Sequence, residues 1–315
     1  MEYDLIIIGI GPAGLTAGLY AARRNLKTLV IGEKLGGQMS LAHLVENYPG
    51  ADPMSGAELA EKMKAQAEKA GCEVKTGTVK GLDIKGEKKK IMTSEGNHVS
   101  NVVIIATGSH YRRLNAEGEK EFLGKGVSYC ATCDGPLFKG KRIAVIGGSD
   151  TAVKSALYLS EIASETFMIH RRDQLRAEER NQENLEKSPV KMIWDSVVEK
   201  IEGDTTVKKI IIKNVKTDET SELEVDGVFI EVGEIPTTDI MKSAGVNVNE
   251  KNFIIVDEKQ QTNVPGVFAA GDVTGSLAQI ITAAAGGADA AMNAYLFIKG
   301  GFYGEKKPLD YGEKK

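Results

Sequence analysis

The chain has 315 residues, enough for two domains at roughly 150 residues each. With 42% hydrophobic and 27% charged residues and a mean hydropathy of −0.20 it can bury a sizeable core, which excludes intrinsic disorder and a membrane protein. A net charge of −4, from 40 Lys and Arg against 44 Asp and Glu, offers no overall footprint for a phosphate backbone, so nucleic acid is not an expected partner.

Leu5 to Ile8 is a short apolar run that reads as a strand, with neither the basic region nor the cleavage site of a secretory signal around it. Gly14 to Arg24 has helical spacing and Lys27 to Ile31 returns to a strand pattern, which makes a βαβ unit. An amphipathic helix is expected over Ala57 to Ala70, solvated charged surface over Lys85 to Lys90, and a buried strand over Val102 to Ala106, ending in Thr107 and Gly108. A second βαβ unit follows as Arg142 to Ile146, Ser149 to Ala163 and Glu165 to Ile169. Val207 to Asn214 and Glu222 to Val232 read as strands around the polar turn Lys216 to Ser221, and Gly233 and Pro236 punctuate the chain after them. Gly266 to Ala270 is a further strand closed by Gly271 and Asp272. Leu277 to Ile298 is then predicted as one long helix rich in Ala and Gly. Gln279, Asp289 and Asn293 interrupt it, so it is expected to pack internally rather than span a membrane. The tail from Gly304 to Lys315 reads as a frayed terminus.

Gly9-Ile10-Gly11-Pro12-Ala13-Gly14 follows a strand and opens a helix, the context in which this spacing binds a dinucleotide. The first Gly permits the turn, the second admits the pyrophosphate, the third brings helix and strand together, and the helix N-terminus attracts the anion. Glu33, 19 residues beyond Gly14, stands where an acid would bond a ribose hydroxyl. The second unit carries Gly147-Gly148-Ser149-Asp150-Thr151-Ala152, with Ser149 in the place of the second Gly. After its second strand come His170, Arg171, Arg172 and then Arg176, a cationic group suited to the extra 2′-phosphate of NADP; solvated surface is the alternative.

The cysteines are three, Cys72, Cys130 and Cys133, too few for a secreted disulfide framework, so a reducing, cytoplasmic setting is expected. Cys130-Ala131-Thr132-Cys133 has the spacing of a redox dithiol or of half a zinc site. Zinc lacks its other ligands: there is no second such pair, and His43, His98, His110 and His170 form no ligand motif. No metal is expected. Asp134 follows at once, placed to exchange the proton that thiol and disulfide chemistry requires, with a capping or turn role as its alternative. Cys72 reads as an inert buried thiol.

From about Asp4 to about Gly300 the chain resembles the low-molecular-weight thioredoxin reductases. The resemblance rests on Gly9 to Gly14, Gly36-Gly37-Gln38, Glu46-Asn47-Tyr48-Pro49-Gly50, Ala106-Thr107-Gly108, Cys130 to Asp134, His170 to Arg176, and Gly271-Asp272. It implies an α/β fold of two Rossmann-like dinucleotide-binding domains, the second inserted into the first: an FAD domain over 1–113 and 243–315, and an NADPH domain over 114–242. FAD is expected at Gly9, Gly11, Pro12, Ala13, Gly14, Glu33, Gly37, Gln38, Asn47, Gly108, Gly271, Asp272 and Gln279. NADPH is expected at Gly147, Gly148, Ser149, Asp150, Thr151, His170, Arg171, Arg172 and Arg176. In the family's scheme electrons pass from NADPH through FAD to a disulfide by way of Cys133, Cys130 attacks the disulfide of thioredoxin, and Asp134 is the acid. The family also implies a homodimer.

Two departures bear on the donor. Ser149 is one, and Ala278, where many members carry Arg, is the other; NADH or a reduced deazaflavin is the alternative donor, and another thiol partner the alternative acceptor. A peroxiredoxin-directed reductase, a small-molecule dithiol oxidase and a non-catalytic redox sensor are the rival functions. Because the dithiol and the nucleotide turn share the inserted domain and need one flavin, rotation of that domain about hinges near residues 113 and 243 is expected.

Overall fold

The computed structural model describes residues 1 to 42 and 44 to 300, so His43 and the expected frayed tail lie outside the described residues. The chain divides into two compact units, one made of Met1–His110 and the chain from Ile235 on, the other of Tyr111–Glu234. The crossings are Ser109–Tyr111 and Glu234–Pro236, two short strands that pair with each other. The return crossing comes earlier than the expected 242/243. Met241 and Ala244 are buried in the same core as Ile6, Ile84 and Ile254, so they belong to the first unit.

In the first unit a parallel sheet runs in the order Glu73–Thr76, Thr28–Gly32, Glu2–Ile8, Gly96–Ile105, and Val267–Ala269 pairs with the far end of the last of these. The hairpin Val79–Asp83 and Lys89–Thr93 extends it antiparallel. Alternation along Glu2–Ile8 sends Leu5 and Ile7 into one core and Ile6 and Ile8 into the other. Burial on both faces is why the sequence there is an unbroken apolar run rather than an alternating one. The helices Pro12–Ala22, Gly56–Lys69 and Ile280–Ile298 cover the first face. Gly56–Lys69 opens on a capping box, Ser55 Oγ accepting from the Glu58 N–H and the Glu58 carboxylate accepting from the Ser55 N–H. The small residues of Ile280–Ile298 have a packing reason, since a Cβ on Gly287 would lie 2.1 Å from the Ala13 carbonyl oxygen.

In the second unit a parallel sheet has the order Lys191–Ile193, Glu165–Ile169, Arg142–Gly147, Gly227–Glu231, Val127–Ser128. The helix Asp150–Ser160 packs on one face of it. The antiparallel strands Ser196–Gly203, Val207–Asn214 and Thr220–Glu224 share the core of the other.

Three sequence expectations need correction. Glu222 to Val232 is two strands in two sheets, Thr220–Glu224 and Gly227–Glu231, because the chain turns at Val225 and Asp226, where the Asp226 carboxylate accepts the Arg142 N–H at 2.9 Å. The last long helix begins at Ile280, with Gln279 extended as its N-cap, so Leu277 and Ala278 precede it. Lys85 to Lys90 is largely solvated, yet Lys89 is buried, its Nζ donating to the Gly86 carbonyl at 2.7 Å. Cys72 is buried as expected, and burial pushes its thiol up to about 12. Among the described residues no helix is long and apolar enough to cross a membrane, and no group of three His, Cys, Asp or Glu could hold a metal.

Candidate active site

Each unit carries its own group of candidate residues. In the first, the strand Glu2–Ile8 ends at Gly9, where a Cβ would stand 2.0 Å from the Ala106 carbonyl oxygen; one on Gly14 would stand 1.9 Å from the Gly9 oxygen. These two glycines therefore let strand, turn and helix close on one another. Gly11 differs. It is the extended N-cap of Pro12–Ala22, without a side-chain cap, and a Cβ there would meet the Gly36 carbonyl oxygen at 3.9 Å. Gly37 faces it, with the Gly11 Cα at 3.7 Å, and the Gly36 N–H holds the two turns together by donating to the Ile10 carbonyl at 2.8 Å. The result is a slot lined by backbone at an uncapped helix N-terminus, which a Cβ from either side would fill. That is the environment a pyrophosphate needs, so the residues fit FAD.

The remaining expected first-unit residues have these surroundings. Gly271 lies against Ala13, its Cβ position 2.9 Å from the Ala13 Cβ, and so brings Asp272 to the start of the same helix. Glu33 is exposed immediately after Thr28–Gly32, and Gln38 lies in the short helix Gly37–Leu41. Asn47 and Gln279, 232 residues apart in sequence, meet through Asn47 Nδ2 donating to Gln279 Oε1 at 3.2 Å. Gly108 takes a positive φ of 66° and accepts the Thr237 N–H at 3.1 Å, while Thr107 Oγ1 donates to the Thr237 carbonyl at 2.8 Å.

In the second unit, Gly147 packs against the Ala152 Cβ and the Glu231 carbonyl, each 2.5 Å from a Cβ position. Ser149 is the extended N-cap of Asp150–Ser160 and its hydroxyl makes no capping bond; Thr151 is exposed in the helix's first turn. Two of the expected nucleotide contacts also make bonds within the unit. Asp150 Oδ1 accepts from the Glu178 N–H at 2.8 Å and from Asn181 Nδ2 at 2.6 Å, tying the following loop to the turn. His170 is buried, with its ring on Gly148 and Nε2 at 3.0 Å from the Gln174 carbonyl. Burial first, and then the charges of Arg171 and Arg172, hold its pKa below the ordinary value, against backbone hydrogen bonds that raise it. Arg171, Arg172 and Arg176 are exposed and make no ion pair among the described residues, and the Arg176 N–H donates to the Gly148 carbonyl at 2.8 Å.

Cys130 and Cys133 form a disulfide, with Cα atoms 5.3 Å apart. Cys130 is the N-cap of the short helix Ala131–Asp134, its Sγ accepting from the Cys133 N–H at 3.2 Å. Three groups around this turn went unread in the sequence. Buried Ser128 donates to Asp134 Oδ2 at 2.6 Å and accepts the Cys130 N–H at 3.0 Å. Glu231, at the end of the inner strand Gly227–Glu231, accepts from the Ser155 hydroxyl at 2.8 Å and from the Ala131 N–H; burial pushes its carboxyl up to about 7. Its one sequence signal is an acid closing an otherwise apolar strand. Buried Glu119 accepts from the Leu114 N–H at 3.0 Å, the Asn115 N–H at 2.6 Å and the Tyr129 hydroxyl, while Tyr129 stacks on Tyr111 at 5.1 Å between ring centroids.

Residues 3 to 287 match the family described as pyridine nucleotide-disulphide oxidoreductase. The chain is 44% identical to a thioredoxin reductase of Treponema pallidum, over 94% of this chain and 97% of that protein. It is 43% identical to one of Peptoclostridium acidaminophilum, over 95% and 98%. A crystal structure of thioredoxin reductase from Streptococcus pyogenes superposes with a TM-score of 0.90 at 42% identity, covering 95% of this chain and 99% of that one. With the glycine slot, the second nucleotide turn and the disulfide in place, the chain belongs to the pyridine nucleotide-disulphide oxidoreductases.

Proposed function

We propose that the chain is a thioredoxin-disulfide reductase that binds FAD in its first unit and takes electrons from NADPH in its second. The observation that carries this reading is the Cys130–Cys133 disulfide beside a second, separate nucleotide turn within one unit. FAD, when bound, supplies two-electron transfer between a nicotinamide and a disulfide. Gly9, Gly11, Pro12, Ala13, Gly14, Gly37 and Gln38 would hold its pyrophosphate side, with Glu33, Asn47, Gly108, Gly271, Asp272 and Gln279 around the rest. Gly147 to Thr151 would carry the nicotinamide nucleotide, and Arg171, Arg172 and Arg176 its 2′-phosphate.

Once the pair is reduced, the Cys130 thiolate attacks one sulfur of the partner's disulfide and the other partner sulfur leaves as a thiolate that takes up a proton. Cys133, as thiolate, then attacks Cys130, which restores the Cys130–Cys133 bond and releases the partner's second sulfur. Asp134 is the acid and base for these protons. The thioredoxin partner, a homodimeric assembly and a cytoplasmic setting belong to this reading, as does rotation of the second unit about the two crossings. Stopped-flow mixing tests it: the purified protein should be yellow, and NADPH should bleach it within the turnover time. Oxidised thioredoxin should then restore the colour. Bleaching by NADH or reduced deazaflavin but not by NADPH would replace the donor, and no reoxidation by thioredoxin would refute the acceptor.

A further inference from the structure

We propose that Ser128 is a positioning residue for Asp134, a hydroxyl that keeps the acid hydrogen-bonded in both of its protonation states. The proposal rests on the reading of Asp134 as the acid of the dithiol. Ser128 is held from behind: it is 4% exposed and lies in the edge strand Val127–Ser128, in register with Phe229 of the neighbouring strand. Its Oγ is 2.6 Å from Asp134 Oδ2, 3.0 Å from the Cys130 nitrogen and 3.3 Å from the Cys130 carbonyl oxygen.

A serine hydroxyl has one hydrogen to give and two lone pairs. The Cys130 N–H can only donate, so it always takes one lone pair. With Asp134 ionised, the hydroxyl hydrogen points to Oδ2, at the short distance of a charge-assisted O–H to carboxylate bond. With Asp134 protonated, the acid's O–H donates to the second lone pair, and the Ser128 hydrogen turns to the Cys130 carbonyl, the other acceptor in reach. Only a hydrogen rotates between these states and no heavy atom has to move, so Asp134 stays fixed against the Cys130 backbone as it takes and gives its proton.

The other ionisable groups packed around the turn are Glu231 on the Ala131 N–H, the Tyr129–Glu119 pair before Cys130, and Tyr158 on the neighbouring helix, near Gly135. The signal must therefore be assigned to Asp134 itself. The test is infrared titration of the holoprotein, following the carboxyl band that D134N deletes, alongside the pH profile of thioredoxin reduction. In S128A the ionised acid loses the Ser128 donor, so the Asp134 midpoint should move to higher pH by about one unit, and the matching limb of the turnover profile should move with it. S128T keeps the donor and both lone pairs and should titrate as the natural protein does. An S128A midpoint that does not move, or an S128T midpoint displaced as far as that of S128A, overturns the proposal. A midpoint that moves while the turnover limb stays in place counts instead against Asp134 as the acid, which separates the two failures.

Discussion

Replacing Glu231 by Gln is expected to flatten the pH dependence of stability between about pH 4.5 and 7. In the folded chain burial raises the Glu231 carboxyl from its ordinary value of 4.5 to about 7. The Ser155 hydroxyl and the Ala131 N–H offset this in part, and the charge of Glu234 adds to it. A group that binds its proton more tightly folded than unfolded contributes stability that is fully present below 4.5 and lost as pH rises through about 7. The displacement corresponds to about 3 kcal/mol, most of it lost between pH 5 and pH 8. Trp194, the single tryptophan, lies in the same unit as Glu231, so urea unfolding followed by its fluorescence reports on that unit. Glu231→Gln should differ little from the natural protein at pH 5 and gain about 2 to 3 kcal/mol over it at pH 8. Unfolding midpoints that run parallel from pH 5 to pH 8 would refute the burial argument.

Replacing Arg171 and Arg172 by Ala should weaken NADPH binding by roughly a hundredfold or more, at about 1.5 to 3 kcal/mol for each of the two lost charge-assisted bonds, and leave NADH almost untouched; an unchanged NADPH to NADH ratio would return the cluster to solvated surface. Gly14→Ala should destabilise even the flavin-free protein, because the added methyl meets the Gly9 oxygen. Gly11→Ala should leave flavin-free stability nearly unchanged and lower FAD affinity, as thermal unfolding and FAD titration would tell. His98 is buried with neither ring nitrogen hydrogen-bonded among the described residues, and burial, then the positive charges of the N-terminus and Lys75, hold its pKa below 6.5. Its contribution is therefore full above pH 6.5 and lost as pH falls below that value, and a melting temperature of His98→Leu that drops as steeply with acid as the natural protein's would contradict this.

What could be read in the chain itself was whatever local chemistry dictates. The spacing of Gly9, Gly11 and Gly14 demands a turn between strand and helix, the unbroken apolar run Leu5 to Ile8 reads as a strand, and Cys130 and Cys133 are close enough in sequence to bond whatever surrounds them. Groups that depend on distant partners were not legible. Nothing in sequence pairs Asn47 with Gln279, sets the His170 ring on Gly148, or bonds the carboxylate of Asp150 to Glu178 and Asn181. The same holds for the end of a strand at Glu224 and the start of a helix at Ile280, which are set by a turn bonded to Arg142 and by where Gln279 stops being extended. Ser128 and Glu231 are the clearest cases. A serine and a glutamate carry no signal of burial in their own identities, and only the packing of strand ends around the Cys130 turn buries Ser128, withdraws Glu231 in part from water and leaves each the hydrogen-bond partners that decide where its proton sits.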